Sequence, residues 1–161
     1  MRFINAVTNR IEIIPLAIID DKDYDLVSIK RWYALKGRKG EYYYWTTVAG
    51  KRISMQRLIM KPKETEIVDH INRITHDNRR SNLRVCNKFE NAWNRTSIRE
   101  ASSKYLGVSY HRQHNYWQAL LTVNYKRIFL GNFKTEKQAA IAYNIAAIKY
   151  HGDFASVNNI E

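Results

Sequence analysis

VDHINRITHDNRRSNLRVCNKFENAWNR, residues 68–95, sets an Asp-His pair and a series of asparagines among arginines. Asp69 and His70 are adjacent, Asn82 lies twelve residues past His70, and Asn91 lies nine further on. A site for a hard cation needs oxygen ligands, and Asp69 with the amide oxygen of Asn91 can supply two. A hydrolytic site needs a base that titrates near neutrality, and His70 is of that type. The arginines at 73, 79, 80, 84 and 95 would hold a polyanion against the pair. Singly, each residue has an ordinary reading. A His beside an Asp is usually a satisfied surface pair, Asn82 a turn residue bonded to its own backbone, Asn91 a solvated helix position, and the Arg run a solvated face. The joint spacing is what points to chemistry.

The local pattern supports a helix that starts after Cys86. Asn87 with Glu90 forms a capping box that opens the helix. Phe89 and Trp93, one turn apart, give that helix an apolar stripe, and Asn91 sits off the stripe where it can turn back toward Asp69.

At 161 residues the chain is long enough for one domain or two small ones, and its 45% hydrophobic content suits a globular protein. A net charge of +12 implies a polyanionic partner. No apolar run reaches a membrane-spanning length and no long basic amphipathic helix stands out, so nucleic acid is preferred to a membrane. Arg2, Arg10 and Glu12 interrupt any signal-peptide core, which predicts a cytoplasmic protein. The single cysteine, Cys86, excludes an internal disulfide and a Cys-rich zinc site. His70 and His76 lack a plausible pair of partner ligands, so zinc is rejected.

Along the chain, residues 1–30 read as short strands, Ile11-Glu-Ile-Ile and Leu16-Ala-Ile-Ile, then an acidic turn from Asp20 to Asp25. Its four aspartates lack the Gly and distal Glu of a calcium loop, so the turn is read as solvated. A small helix or turn around Leu26 would pack Trp32 inward. Lys30, Arg31, Lys36, Arg38 and Lys39 precede a tyrosine-rich strand, Glu41–Val48, and Gly50 marks a hairpin turn. Interleaved aromatics and cations suit a DNA backbone, or else a sheet core with solvated lysines. Ser54 caps a short helix that Pro62 stops.

Residues 95–104 read as a polar linker, with net charge +8 over residues 1–98 and +4 over residues 99–161. Beyond it, Gly107–His111, Tyr116–Val123 and Lys126–Leu130 alternate as three strands, with turns at Gln113–Asn115 and Asn124-Tyr125. Thr135 with Gln138 makes another capping box. The helix it opens, 136–150, carries Ala139, Tyr143, Ala146, Ala147 and Tyr150 on one face, and Gly152 ends it. The inner sheet face is Val108, Tyr110, Trp117, Ala119, Leu121, Val123, Ile128 and Leu130. The outer face is Ser109, His111, Gln118, Leu120, Thr122, Arg127 and Phe129.

The words DHIN, DNRRSNLR and ENAWN resemble, in order and spacing, the HNH nuclease motif in its variant with Asn as the last ligand. The run-up Met55–Met60 is similar to the segment before the motif in phage-type HNH homing endonucleases, with Gln56 where a His often stands. SKYLGVSYH, YWQALL, RIFLGNF, TEKQAAIAYNIAA and HGDFASVN, over about residues 104–158, resemble the Apetala-two/ethylene-response-factor DNA-binding domain. These resemblances imply an α+β chain: a ββα-metal nuclease domain over 1–98, then a three-stranded antiparallel sheet packed on one helix over 99–161.

They imply a homing-type endonuclease that hydrolyses DNA phosphodiesters with a single Mg2+ or Mn2+ ion. His70 would be the general base and Asn82 the brace of its loop, with Asp69 and Asn91 on the metal. Asn78 and Asn94 would serve as loop bracing and helix surface. Arg79, Arg80, Arg84 and Arg95 would contact DNA, together with the outer face of the C-terminal sheet. In the plant family several positions on that face are often basic. Here they are Ser109, His111 and Thr122, while Leu120 can touch a thymine methyl but makes no bidentate base contact. The expected partner is double-stranded DNA, without a membrane, bound by a monomer in the cytoplasm (the host's, if phage-encoded). The rivals are a DNA-binding regulator with a vestigial nuclease motif and an RNA-binding accessory protein.

Overall fold

The computed structural model describes residues 1–8, 13–38, 40–94 and 102–161, and its fold is α+β with several small antiparallel sheets. Contacts divide it into two compact units, Met1–Asn87 and Lys88–Glu161.

The first unit begins with β1 (Arg2–Ile4) paired antiparallel to β2 (Ala17–Ile19). Of the strand expected at 11–14, residues 11 and 12 lie outside the described residues, and Ile13 is solvent-exposed outside any strand. A 3-10 turn, Asp21–Asp23, leads into α1 (Tyr24–Ser28). A meander follows: β3 (Tyr33–Lys36), β4 (Tyr42–Val48) and β5 (Lys51–Ser54). Ala49 and Gly50, both at positive φ, make the tight turn between β4 and β5. α2 (Met55–Met60) starts at Ser54, whose side chain makes no capping bond, and stops at left-handed Lys61, just before Pro62.

The unit closes with the hairpin β6 (Ile67–His70) and β7 (Leu83–Cys86). One core serves these pieces: Ile4, Ala17, Ile19, Val27, Trp32, Tyr44, Met55, Ile59, Val68 and Leu83. Val68 and Leu83 anchor the hairpin in it, and Trp32 turns inward as expected, its indole N–H donating to Val27 O (2.9 Å).

The acidic turn is not simply solvated. Asp23 is 3% exposed. Its carboxylate takes Arg80 Nε (2.9 Å) and Nη2 (2.7 Å), and Asp20 Oδ2 accepts from the Arg80 amide (2.8 Å). Arg80 Nη2 also donates to Ile59 O (2.9 Å). A buried carboxylate needs such a partner. The aspartates are therefore a receptacle that ties the loop before β7 to α1 and α2.

The second unit starts with α3 (Lys88–Trp93). β8 (Val108–His111), β9 (Tyr116–Val123) and β10 (Lys126–Phe133) form an antiparallel sheet with β9 central, backed by α4 (Glu136–His151). Both halves of the Thr135–Gln138 capping box form. Asn124 and Tyr125, both at positive φ, make the turn between β9 and β10, and the β10 register shifts between Phe129 and Gly131. Gly107 has φ +73°, and a Cβ there would stand 2.1 Å from the Tyr143 ring, so the helix seats directly on this backbone. One position differs from the periodic reading. Tyr150 is exposed, and His151 turns inward instead, its Nε2 donating to Thr122 O (3.0 Å).

Candidate active site

The β6–β7 register places Asp69 opposite Arg84 and His70 opposite Leu83. Strand alternation sends Val68 and His70 to the buried face, and Asp69 to the other. Arg84 closes on Asp69 Oδ2 with Nε (3.1 Å) and Nη2 (2.9 Å). Both side chains are largely shielded from water, which strengthens the pair.

His70 is 6% exposed, with Nε2 3.3 Å from Asn78 Oδ1. Asn78 is fully buried, and its Nδ2 lies 3.5 Å from Thr75 O and 3.4 Å from His76 O. Two carbonyls around Nδ2 fix the amide orientation, so the oxygen faces the imidazole. An amide oxygen only accepts, so the proton sits on His70 Nε2 and the basic lone pair on Nδ1. Burial pulls the His70 pKa below its ordinary 6.5; the Asn78 bond, Asp69 and Asp77 push the other way but do not win. At neutral pH the imidazole is therefore uncharged and able to take a proton.

Between the strands, Asn82 staples the loop. Its Oδ1 accepts from Asn72 N (2.9 Å), its Nδ2 donates to Asp77 O (2.7 Å), and its carbonyl accepts from Ile71 N (2.8 Å). Asn72 Nδ2 reaches Asp77 Oδ2 (3.1 Å), and Arg79 grips that carboxylate through Nε (2.8 Å) and Nη2 (2.7 Å). The Arg79 bonds hold the Asp77 carboxyl below the usual range. Arg79, Arg80 and Arg84 thus each have an intramolecular carboxylate: Asp77, Asp23 and Asp69. Arg95 lies outside the described residues.

Spacing alone did not single out Asn78 as the residue that orients His70. Its place in Asp77-Asn78-Arg79 was the available signal.

Asn91 is exposed on α3, a helix of the second unit. The α3 stripe packs within that unit: Phe89 meets Tyr125 edge-on (centroids 4.9 Å), and Trp93 stacks on His151 (4.2 Å, 8°). Leu120 and Thr122 share a small cleft with Phe89, Ala92 and Trp93. Elsewhere on the outer sheet face, Ser109, His111 and Gln118 are half-buried, while Arg127 and Phe129 are exposed. His111 Nε2 lies 3.3 Å from Gln118 Oε1, and its ring stacks on Tyr116.

Comparison with known proteins finds two separate partial likenesses. Residues 61–93 match the family model for HNH endonuclease. The chain is also 47% identical over 62 residues to the AP2-like ethylene-responsive transcription factor PLT2 of Arabidopsis thaliana, covering 37% of this chain and 11% of that protein. To the AP2-like ethylene-responsive transcription factor ANT of the same plant it is 44% identical over 59 residues, 35% of this chain and 11% of that one. APETALA2-like protein 2 of Oryza sativa subsp. indica is 39% identical over 64 residues, 40% of this chain and 15% of that protein. The chain thus spans only about a tenth of the length of the first of these relatives. No helix among the described residues is long and apolar enough to cross a membrane.

Proposed function

We propose that the chain is a metal-dependent DNA endonuclease of the phage-type, homing HNH kind, with the nuclease function in residues 1–98 and DNA positioning in 99–161. The observation that carries this reading is the buried, neutral His70, held by Asn78 inside the stretch that matches the HNH endonuclease model. His70 Nδ1 takes a proton from the water that attacks phosphorus in line. Asn78 keeps the proton on Nε2, and Asn82 holds the loop that fixes the imidazole. The leaving group is the 3′ oxygen, so the products carry 5′ phosphate and 3′ hydroxyl ends.

The cation would be magnesium or manganese, and Asp69 and Asn91 are the residues that would hold it. An all-oxygen donor set of carboxylate and amide fits such an ion. Among the described residues no three His, Cys, Asp or Glu side chains gather as a cage. A magnesium ion that keeps waters and substrate phosphates needs none. When bound, the ion supplies charge stabilisation at the phosphoryl and leaving oxygens. Arg84 already occupies Asp69 Oδ2, so a bound ion would share this carboxylate with the guanidinium.

Arg79, with its side chain 40% exposed, keeps an edge for DNA as well as Asp77, and Arg80, Arg84 and Arg95 complete the set of arginines assigned to DNA contact. The outer face of the C-terminal sheet supplies Ser109, His111, Gln118, Leu120, Thr122, Arg127 and Phe129. The protein acts as a monomer on double-stranded DNA in the cytoplasm, the host's if phage-encoded.

The test is supercoiled plasmid with a magnesium series, for the parent, Asp69→Ala and Asn91→Ala. The parent nicks or linearises plasmid only with the cation, and each variant needs more of it for half-maximal cleavage. Parent-like magnesium curves in both variants would remove these two residues from the metal site. One observation favours a second reading, a DNA-binding regulator with a vestigial motif: Asp69 is ion-paired to Arg84. A parent that binds duplex but leaves plasmid intact at every magnesium or manganese concentration would establish that reading instead.

A further inference from the structure

Arg79, Arg80 and Arg84 meet carboxylates within the first unit, and Arg2 meets both Asp21 and the Tyr24 ring, whereas Arg31 and Arg52 meet aromatic rings alone among the described residues. On the β3–β4–β5 sheet, Tyr44 and Thr46 turn into the core. Tyr33, Leu35, Tyr43 and Trp45 therefore share the opposite face, where Leu35 and Tyr43 are exposed. Tyr33 and Trp45 are cross-strand partners and stack, with centroids 4.8 Å apart and planes inclined 23°. The Arg31 guanidinium carbon lies 5.6 Å from the Tyr33 centroid, and that of Arg52 3.8 Å from the Trp45 centroid. Both arginines are exposed, and among the described residues neither has an ion-pair partner. Glu41, just before β4, accepts instead from Tyr43 Oη (3.3 Å).

A guanidinium laid on a ring uses its face and keeps its N–H edge, where five donors match a phosphate. Holding the side chain on the ring also removes rotamer freedom before binding, so less is lost when an anion arrives. We infer that Arg31 and Arg52, held on the Tyr33–Trp45 stack, form a phosphate-contact surface for the backbone of duplex DNA in the first unit. The choice of DNA as occupant follows from the +12 charge of the chain and rests on the nuclease reading above. The face is a backbone reader: it supplies charge and position but no base-edge donors of defined register.

The experiment measures duplex binding across a salt series for the full chain, for R31A/R52A, for R31K/R52K, and for K22A/K63A, which removes the same charge from exposed lysines elsewhere in the unit. Each lost phosphate contact lowers the slope of log K against log salt by roughly 0.9, so R31A/R52A should lose about 1.8. R31K/R52K restores the slope, and K22A/K63A keeps the parent value. A parent slope in R31A/R52A, an equal fall in K22A/K63A, or no recovery with lysine would each overturn the inference. Plasmid cleavage by the parent is read separately. Cleavage with an unmoved slope defeats this surface alone, whereas a fallen slope without cleavage defeats the nuclease reading alone.

Discussion

At the scale of single residues the chemistry turns on where one proton sits. Because the Asn78 amide is oriented by two backbone carbonyls, His70 carries its proton on Nε2. Asn78→Ala frees the imidazole to change tautomer and should lower cleavage by about 10–100-fold, the usual cost of losing an outer orienting partner. Its acid limb should also shift, which a loss of stability alone would not cause. Asn78→Asp, which keeps an acceptor at Nε2, should recover part of the rate. Burial sets the pH profile in the parent. The His70 pKa lies below 6.5, so cleavage should persist as pH falls through 6.5, with its acid limb at lower pH. The same shift fixes the sign of a stability effect. The unfolded chain binds the proton first, so stability present above pH 6.5 declines as pH falls from there toward the folded value. Urea midpoints taken across that window in the parent and in His70→Gln would isolate the contribution. The loop-bracing role of Asn82 was legible only through the motif resemblance, since spacing alone reads it as a turn residue. The Asp69–Arg84 and His70–Asn78 pairings were not legible, because they depend on strand register and loop path.

At the scale of elements, locally encoded features were readable and long-range ones were not. The Ala49-Gly50 and Asn124-Tyr125 turns, the three C-terminal strands and the Thr135–Gln138 box all follow from neighbouring residues. The acidic turn was misread as solvated because its partner, Arg80, lies 57 residues beyond Asp23. Ser54 stands at its helix start without the expected side-chain bond. The Arg80 link makes a stability prediction. Arg80→Ala strips the guanidinium from the nearly buried Asp23 and should cost on the order of 2 kcal/mol. That is less than the roughly 3–5 of a fully buried pair, because the Arg80 side chain is 37% exposed. The urea midpoint should fall with m unchanged, and an Asp23→Asn/Arg80→Ala double variant should recover part of the loss. A parent midpoint in Arg80→Ala would deny the receptacle its role. On α4, a period of 3.6 residues runs from Tyr143 through Ala147 to a point between Tyr150 and His151. Packing against Thr122 chose the histidine.

At the scale of the whole molecule, two short modules with different likenesses share one basic chain. Although β1 and β3 escaped the periodic reading, the α+β class and the C-terminal order of three strands and a helix were legible from alternation and turn chemistry. The use of the charge was not, since +12 says nothing about which cations have carboxylate partners. If the C-terminal sheet positions DNA, Arg127→Ala should reduce the salt slope by about one, while Phe129→Ala alters site preference and leaves the slope alone. An unchanged slope in Arg127→Ala would remove that cation from the contact. The central claim, that His70 is the base of a DNA-cleaving site, meets its most direct test in one measurement. Supercoiled plasmid is cleaved with saturating magnesium by the parent and by His70→Ala, at protein concentrations giving equal DNA occupancy. The account predicts a fall of about 10²–10⁴-fold in cleavage with duplex affinity unchanged. Cleavage by His70→Ala at the parent rate would contradict it.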